Sequence, residues 1–122
     1  MKKNVVIADD FENTRWVIEF TIKNNFDINI LKAENGKEAL QYFDGRPIHL
    51  LITDLNMPEM TGIELIEQVK QLSAYQFLPI ILLTTETDPT KRNEASALKI
   101  TAWIKKPFKQ DEFLKVVKKC LG

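Results

Sequence analysis

Val5-Val6-Ile7-Ala8-Asp9-Asp10-Phe11 and Leu50-Leu51-Ile52-Thr53-Asp54-Leu55-Asn56-Met57-Pro58 share one plan: a short aliphatic run that ends in acid. Three or four residues, apolar at successive positions, fit a strand buried on both faces. The same pattern recurs at Ile28 to Leu31 (with Asn29 inside it), Ile80 to Leu83 and Ala102 to Ile104. Between these runs, residues 13–23, 36–43, 62–72, 90–98 and 110–121 place apolar side chains near helical spacing. Ile63, Ile66, Val69 and Leu72 form one such stripe, and Phe113, Val116, Val117, Cys120 and Leu121 another. Helix starts are signalled by Asn35 with Glu38, Thr61 with Glu64, and Asp88 before Pro89. Pro47, Pro58, Pro79 and Pro107 fall in connections, where proline is tolerated. Five strand–helix repeats predict an α/β fold: a doubly wound, five-stranded parallel sheet with helices on both faces. Residues 1–122 are expected to form one domain.

Composition narrows the function. The 122 residues carry 17 Lys+Arg and 17 Asp+Glu, and this neutrality argues against direct nucleic-acid binding, which needs a basic surface. Cys120 is the single cysteine, so neither an internal disulfide nor a multi-cysteine zinc site is available. The apolar run after Met1-Lys2-Lys3-Asn4 is too short for a signal peptide or membrane span, which predicts a cytoplasmic protein. Charge is unevenly spread. Residues 1–60 hold 7 basic and 10 acidic side chains, net −3, and residues 61–122 hold the reverse, net +3.

In open parallel sheets, ligands sit at the carboxyl ends of the strands. Those ends read Asp9-Asp10 on the first strand, Thr53-Asp54 on the third, Thr84-Thr85 on the fourth and Lys105-Lys106-Pro107 on the fifth. A single acidic residue there commonly caps the next helix. Three on one edge repel by roughly 4 kcal/mol per pair at 4 Å and an effective dielectric of 20. They need a cation or a raised pKa. Hard oxygen donors without histidine or cysteine favour Mg²⁺ over a transition metal. Magnesium and a lysine around a carboxylate can stabilise a transferring phosphoryl group, and a carboxylate can itself be the acceptor.

The ordered set Asp9-Asp10, Asp54 to Gly62, Leu78 to Thr84 and Trp103-Ile104-Lys105-Lys106-Pro107-Phe108 resembles the response-regulator receiver domains, most of all the CheY-like single-domain regulators. The resemblance spans the chain and implies the strand order 2-1-3-4-5. It implies that Asp54 is the phosphoacceptor, and that Asp10, Asp54 and the backbone carbonyl of Asn56 hold Mg²⁺, with Asp9 assisting through water. It further implies that Lys106 contacts the phosphoryl group, that Thr84 is the switch hydroxyl with Trp103 as its aromatic partner, and that the Lys106–Pro107 bond is cis. Three positions depart from the family pattern. Trp103 stands where Tyr or Phe is usual, Thr85 where Ala, Gly or Ser is usual, and Lys99 where glycine would supply a positive φ. Asn56 and Glu86 match the chemotaxis type, which implies a short-lived phosphoryl group.

The implied partners are a histidine kinase or phosphotransfer protein and an unknown downstream protein. The implied state is a monomer or a weak, phosphorylation-dependent homodimer, and the domain is a switch rather than an enzyme. On the first helix Trp16, Val17 and Phe20 fall together at 100° per residue, away from Ile18 and Ile22. Trp16 and Phe20 are therefore expected to be partly exposed. With Pro107 and Phe108 they border the face that docks the kinase in this family. His49 reads as structural and Cys120 as a core thiol. A receiver belonging to a larger regulator or hybrid kinase is the alternative. An aspartyl-phosphate phosphatase is less consistent, because such enzymes place their nucleophile motif after the first strand. A nucleotide or flavin carrier would need a glycine-rich loop where Asp9-Asp10-Phe11-Glu12 stands.

Overall fold

A computed structural model describes residues 2–122; Met1 of the expected 1–122 domain lies outside the described residues. The elements alternate throughout: β1 (Lys3–Ala8), α1 (Glu12–Lys23), β2 (Ile28–Ala33), α2 (Gly36–Leu40), β3 (Leu50–Thr53), α3 (Gly62–Gln71), β4 (Ile80–Thr84), α4 (Pro89–Ala97), β5 (Ala102–Lys105) and α5 (Gln110–Leu121). All strand pairs are parallel, in the order β2-β1-β3-β4-β5. The doubly wound parallel sheet is what the alternation implied, and the strand order is the one the resemblance implied.

The apolar runs work as expected because successive side chains point to opposite faces. Val6, Ala8, Leu51, Ile80 and Leu82 join a core completed by α2, α3 and Ala95 of α4. Val5, Ile7, Leu50, Ile52, Ile81 and Leu83 join a second core under α1 and α5, with Ile18, Ile22, Phe113 and Val117. Register aligns Ala8 with Ala33 on one side and Thr53 on the other, so the ends of β1 and β3 lie level. Whatever follows them in sequence is delivered to the same edge.

The expected helix starts are present. Asn35 Oδ1 accepts the Glu38 N–H at 2.7 Å. Thr61 and Glu64 form a reciprocal capping box at 3.2 and 3.0 Å. Asp88 accepts the Thr90 N–H with Pro89 in the first turn.

Helix boundaries differ from the sequence reading by one residue at several ends, and two differences have a packing reason. The second helix stops at Leu40 rather than Phe43, because Tyr42 and Phe43 bond their N–H groups three residues back in a tightened final turn. Phe43 then meets the Tyr75 ring edge-on at 5.0 Å. The third helix stops at Gln71. Leu72 is extended and half-exposed, and a 3-10 turn, Ser73–Tyr75, buries Tyr75 instead.

Lys99 takes the positive φ that its position demands, +60°. His49 does structural service, accepting the Asn4 N–H on Nδ1 at 2.9 Å. Cys120 is half-buried rather than fully in the core, and burial raises its thiol pKa.

Candidate functional site

The edge formed by the ends of β1, β3, β4 and β5 gathers what the strand ends promised. Asp9, Asp10 and Asp54 each offer a carboxylate oxygen within 4.8 Å of the others. Lys106 Nζ lies between two of them, donating to Asp9 Oδ2 at 2.6 Å and Asp54 Oδ2 at 2.9 Å. Asp9 and Asp54 are buried, whereas Asp10 is exposed. Their remaining oxygens are occupied by backbone donors. Asp9 Oδ1 accepts the Phe11 N–H at 2.9 Å, and Asp54 Oδ1 accepts the Leu55 N–H at 2.6 Å. Both buried carboxylates are therefore held in plane as well as in place.

Charge explains the protonation behaviour. Burial drives the Asp9 carboxyl above its ordinary value, and the hydrogen bonds from Lys106 and the Phe11 N–H offset part of the rise. Burial pulls the Lys106 ammonium down, but Asp9 and Asp54 together outweigh it and hold the group above its ordinary value. Three carboxylates face one ammonium, so the cluster retains an excess of negative charge.

That donor set fits Mg²⁺: three hard carboxylate oxygens, with no histidine or cysteine among the clustered residues. Asp9, Asp10 and Asp54 are the clustered groups that could hold it.

The loop after β3 is fixed by close backbone packing. The Gly62 N–H donates to the Leu55 carbonyl at 2.7 Å. A Cβ on Gly62 would stand 2.1 Å from the Asp54 carbonyl oxygen, so only glycine fits there.

The loop after β4 is built around Glu86. Its Oε1 accepts from Asn56 Nδ2 at 3.2 Å, and its Oε2 accepts the N–H groups of Thr87 and Asp88. These bonds hold the Glu86 carboxyl below its ordinary range, the Asn56 bond first. The Glu86 N–H donates to the buried Thr84 Oγ1 at 3.2 Å. Thr85 is exposed. Trp103 is partly buried against the α3-side core, with the Arg92 guanidinium 6.0 Å from its ring centre. The Lys106–Pro107 bond is cis.

The first 114 residues from Val5 onward settle what this edge belongs to: residues 5–118 match the response regulator receiver domain family. The chain belongs to that family. As a CheY-like receiver domain of two-component systems, it is a signalling switch. It is 34% identical to chemotaxis protein CheY1 of Helicobacter pylori over 105 residues, covering 85% of each chain. It is also 34% identical to histidine kinase P4 of Formosa agariphila over 120 residues, which is 98% of this chain but only 9% of that protein. Among solved structures it resembles the chemotaxis response regulator CheY4 of Vibrio cholerae, with TM-score 0.88 and 35% identity over 99% of this chain and 100% of that one. Receiver domains bind Mg²⁺ at an acidic pocket and interact with histidine kinases or phosphotransfer proteins.

The expected docking residues of this receiver domain fall into two groups. Trp16 and Phe20 are exposed, at 58% and 53%, and their rings stack at 5.0 Å on the outer side of α1. Pro107 is exposed beside a groove of about 600 Å³ between α1 and the start of α5, which Val17, Thr85 and Lys106 also line. Phe108 borders the same groove but is turned inward onto Phe113, 4.6 Å away between ring centres.

One residue of the site escaped the sequence reading. Arg15 of α1 reaches back to the acidic edge. Its Nη1 donates to the Asp9 carbonyl at 2.6 Å. Its position one turn after the acidic pair was the available signal, since helical side chains lean toward the N-terminus.

Proposed function

We propose that this receiver accepts a phosphoryl group on Asp54 from a histidine kinase or phosphotransfer protein, and that the event switches the surface of α4, β5 and α5 for a downstream protein. The observation that carries this reading is the meeting of Asp9 and Asp54 on one ammonium, with Asp10 in the same cluster. The new bond forms between an Asp54 carboxylate oxygen and phosphorus. The donor's bond to phosphorus breaks, and the leaving nitrogen keeps its electron pair and takes up a proton. Leu55 N–H fixes the plane of the attacking carboxylate, and Lys106 follows the phosphoryl oxygens. Asp10, Asp54 and the Asn56 carbonyl, with Asp9 through water, would hold Mg²⁺, which would supply positive charge to the phosphoryl oxygens.

The modification adds about −1.5 to −2 charges, by analogy with hydroxyl phosphorylation. Thr84 turns its hydroxyl to the new oxygens, which takes it from the Glu86 N–H. The loop through Thr85 follows, and Trp103 moves with it. Trp16, Phe20 and Pro107, with the edge of Phe108, border the donor's docking face. The Asn56–Glu86 pair beside Asp54 supports a short phosphoryl lifetime; one of many hours would refute it. The setting is cytoplasmic. The switch acts as a monomer or a weak homodimer formed on phosphorylation, without contact to nucleic acid or membrane, and residues 1–122 are assigned to one receiver domain.

Exposure to a small phosphodonor with and without Mg²⁺, read by intact mass, tests the reading. A single phosphoryl adduct is expected only with Mg²⁺, and none on Asp54→Asn. An undiminished adduct on Asp54→Asn would sink the assignment. A second setting, as one domain of a hybrid kinase, is favoured by the match of 98% of this chain to a small part of histidine kinase P4.

A further inference from the structure

We infer that Arg15 is the positioning residue of the Mg²⁺ site, acting through the peptide that joins Asp9 to Asp10; the inference rests on the function proposed above. Asp9 is held by every polar group it has. Its N–H donates to the Ala33 carbonyl at 3.1 Å, its carboxylate is shared by Phe11 N–H and Lys106 Nζ, and its carbonyl accepts from Arg15 Nη1 at 2.6 Å. Asp10 is different. It is exposed, and among the described residues no hydrogen bond reaches its carboxylate. The peptide plane before it helps to set where its side chain starts, and the handle on that plane is the Asp9 carbonyl. Arg15 grips this handle with a side chain only 11% exposed. Its other nitrogen, Nη2, lies 3.8 Å from Glu34, whose side chain is 69% exposed.

The guanidinium has two opposing effects on a cation. Its charge repels Mg²⁺, and its grip pre-orients Asp10 as a ligand. The charge is directed at a carbonyl and is partly answered by Glu34, whereas the grip is the one side-chain bond on that peptide, so the grip prevails. Partners behind a metal ligand commonly change affinity by about 10–100-fold when removed.

Mg²⁺ titration by calorimetry, together with phosphoryl uptake by mass, tests this on the full chain. Arg15→Ala is expected to weaken Mg²⁺ binding at least about tenfold, while saturating Mg²⁺ restores phosphoryl uptake to near the wild-type rate. Arg15→Lys keeps the charge and a single donor, and should recover part of the affinity. Glu34→Gln should leave Mg²⁺ affinity within about twofold, because that contact is long and exposed. Unchanged or tighter Mg²⁺ binding in Arg15→Ala overturns the inference, since repulsion would then outweigh the grip. If Arg15→Ala does not fold, Arg15→Lys alone decides, by weaker or unaltered affinity. A wild-type chain that takes neither Mg²⁺ nor a phosphoryl group would instead overturn the proposed function.

Discussion

The ends of β1 and β3 and the α4–β5 side of the sheet meet at the same edge but are built to opposite standards. Every residue of β3 is buried, and α3 buries four side chains and Gly62 behind it. Asp54 has both oxygens engaged, and its carbonyl is walled in by Gly62. Across the edge, α4 buries only Ala95, and no residue of β5 is fully buried. The acids that must keep a fixed geometry stand on the packed side. Thr84 is buried on the packed strand β4, but the loop after it and the Trp103 indole stand where few contacts would have to break. Low local burial is what lowers the free energy of local rearrangement, so the division of labour is written in packing rather than in the site residues themselves.

The sharpest way to break this comparison is to disturb each side equally gently. Gly62→Ala adds one methyl against the Asp54 carbonyl, a backbone atom that cannot step aside. It should destabilise by about 3 kcal/mol or more in urea unfolding and blunt phosphoryl uptake, because it shifts the acceptor itself. Ser96→Ala, an equally small change on the exposed face of α4, should stay within about 0.5 kcal/mol of wild type. Equal effects for the two variants would show that the α3 side is no more rigid than the α4 side.

The legibility of the sequence follows the same line. Strand ends could be read because parallel strands buried on both faces are nearly unbroken apolar runs, so Asp9, Asp54, Thr84 and Lys106 mark where each run stops. Trp16 and Phe20 could be read because their angle from Ile18 and Ile22 is fixed by helical geometry. Gly62 was visible as a helix start, but the approach of Asp54 to it belongs to the folded loop. Arg15 was missed for a related reason. A helical wheel sorts residues around an axis and says nothing of a long side chain that runs along it to the preceding loop. Leu72 followed the stripe perfectly and still ended exposed, because the chain left the helix one residue earlier to bury Tyr75.

A smaller effect separates the two helix starts. The capping box of α3 is reciprocal, whereas α4 begins with Asp88 and Pro89 alone. Thr61→Ala should destabilise by about 1 kcal/mol. Glu64 adds a pH signature. The Thr61 backbone N–H, and after it the Thr61 side chain, hold its carboxyl below the ordinary 4.5. A carboxyl depressed in the folded state contributes stability that is present above 4.5 and lost as pH falls through the lower folded value. The difference in urea midpoint between wild type and Glu64→Gln should therefore be present at neutral pH and fade on acidification. A difference that grows as pH falls would contradict the assigned direction.

The weakest expected effect bears on the mobile side alone. Trp103 is bulkier than the aromatic residue usual at its position, and it is covered by Arg92 from α4 at the outer limit of cation–π range. That contact is worth about 0.5–1 kcal/mol at an exposed site, comparable to a single turn of a loosely anchored helix, so it can tie ring and helix together without fixing either. In a Trp16→Phe background the remaining indole reports on Trp103 alone, since the chain has two tryptophans. Arg92→Ala should then make Trp103 emission easier to quench with acrylamide, while the urea midpoint moves by less than for Thr61→Ala. If quenching does not change, the ring is held by the core beneath it. The freedom of the α4–β5 side would then end at Trp103, with α4 moving over a fixed indole.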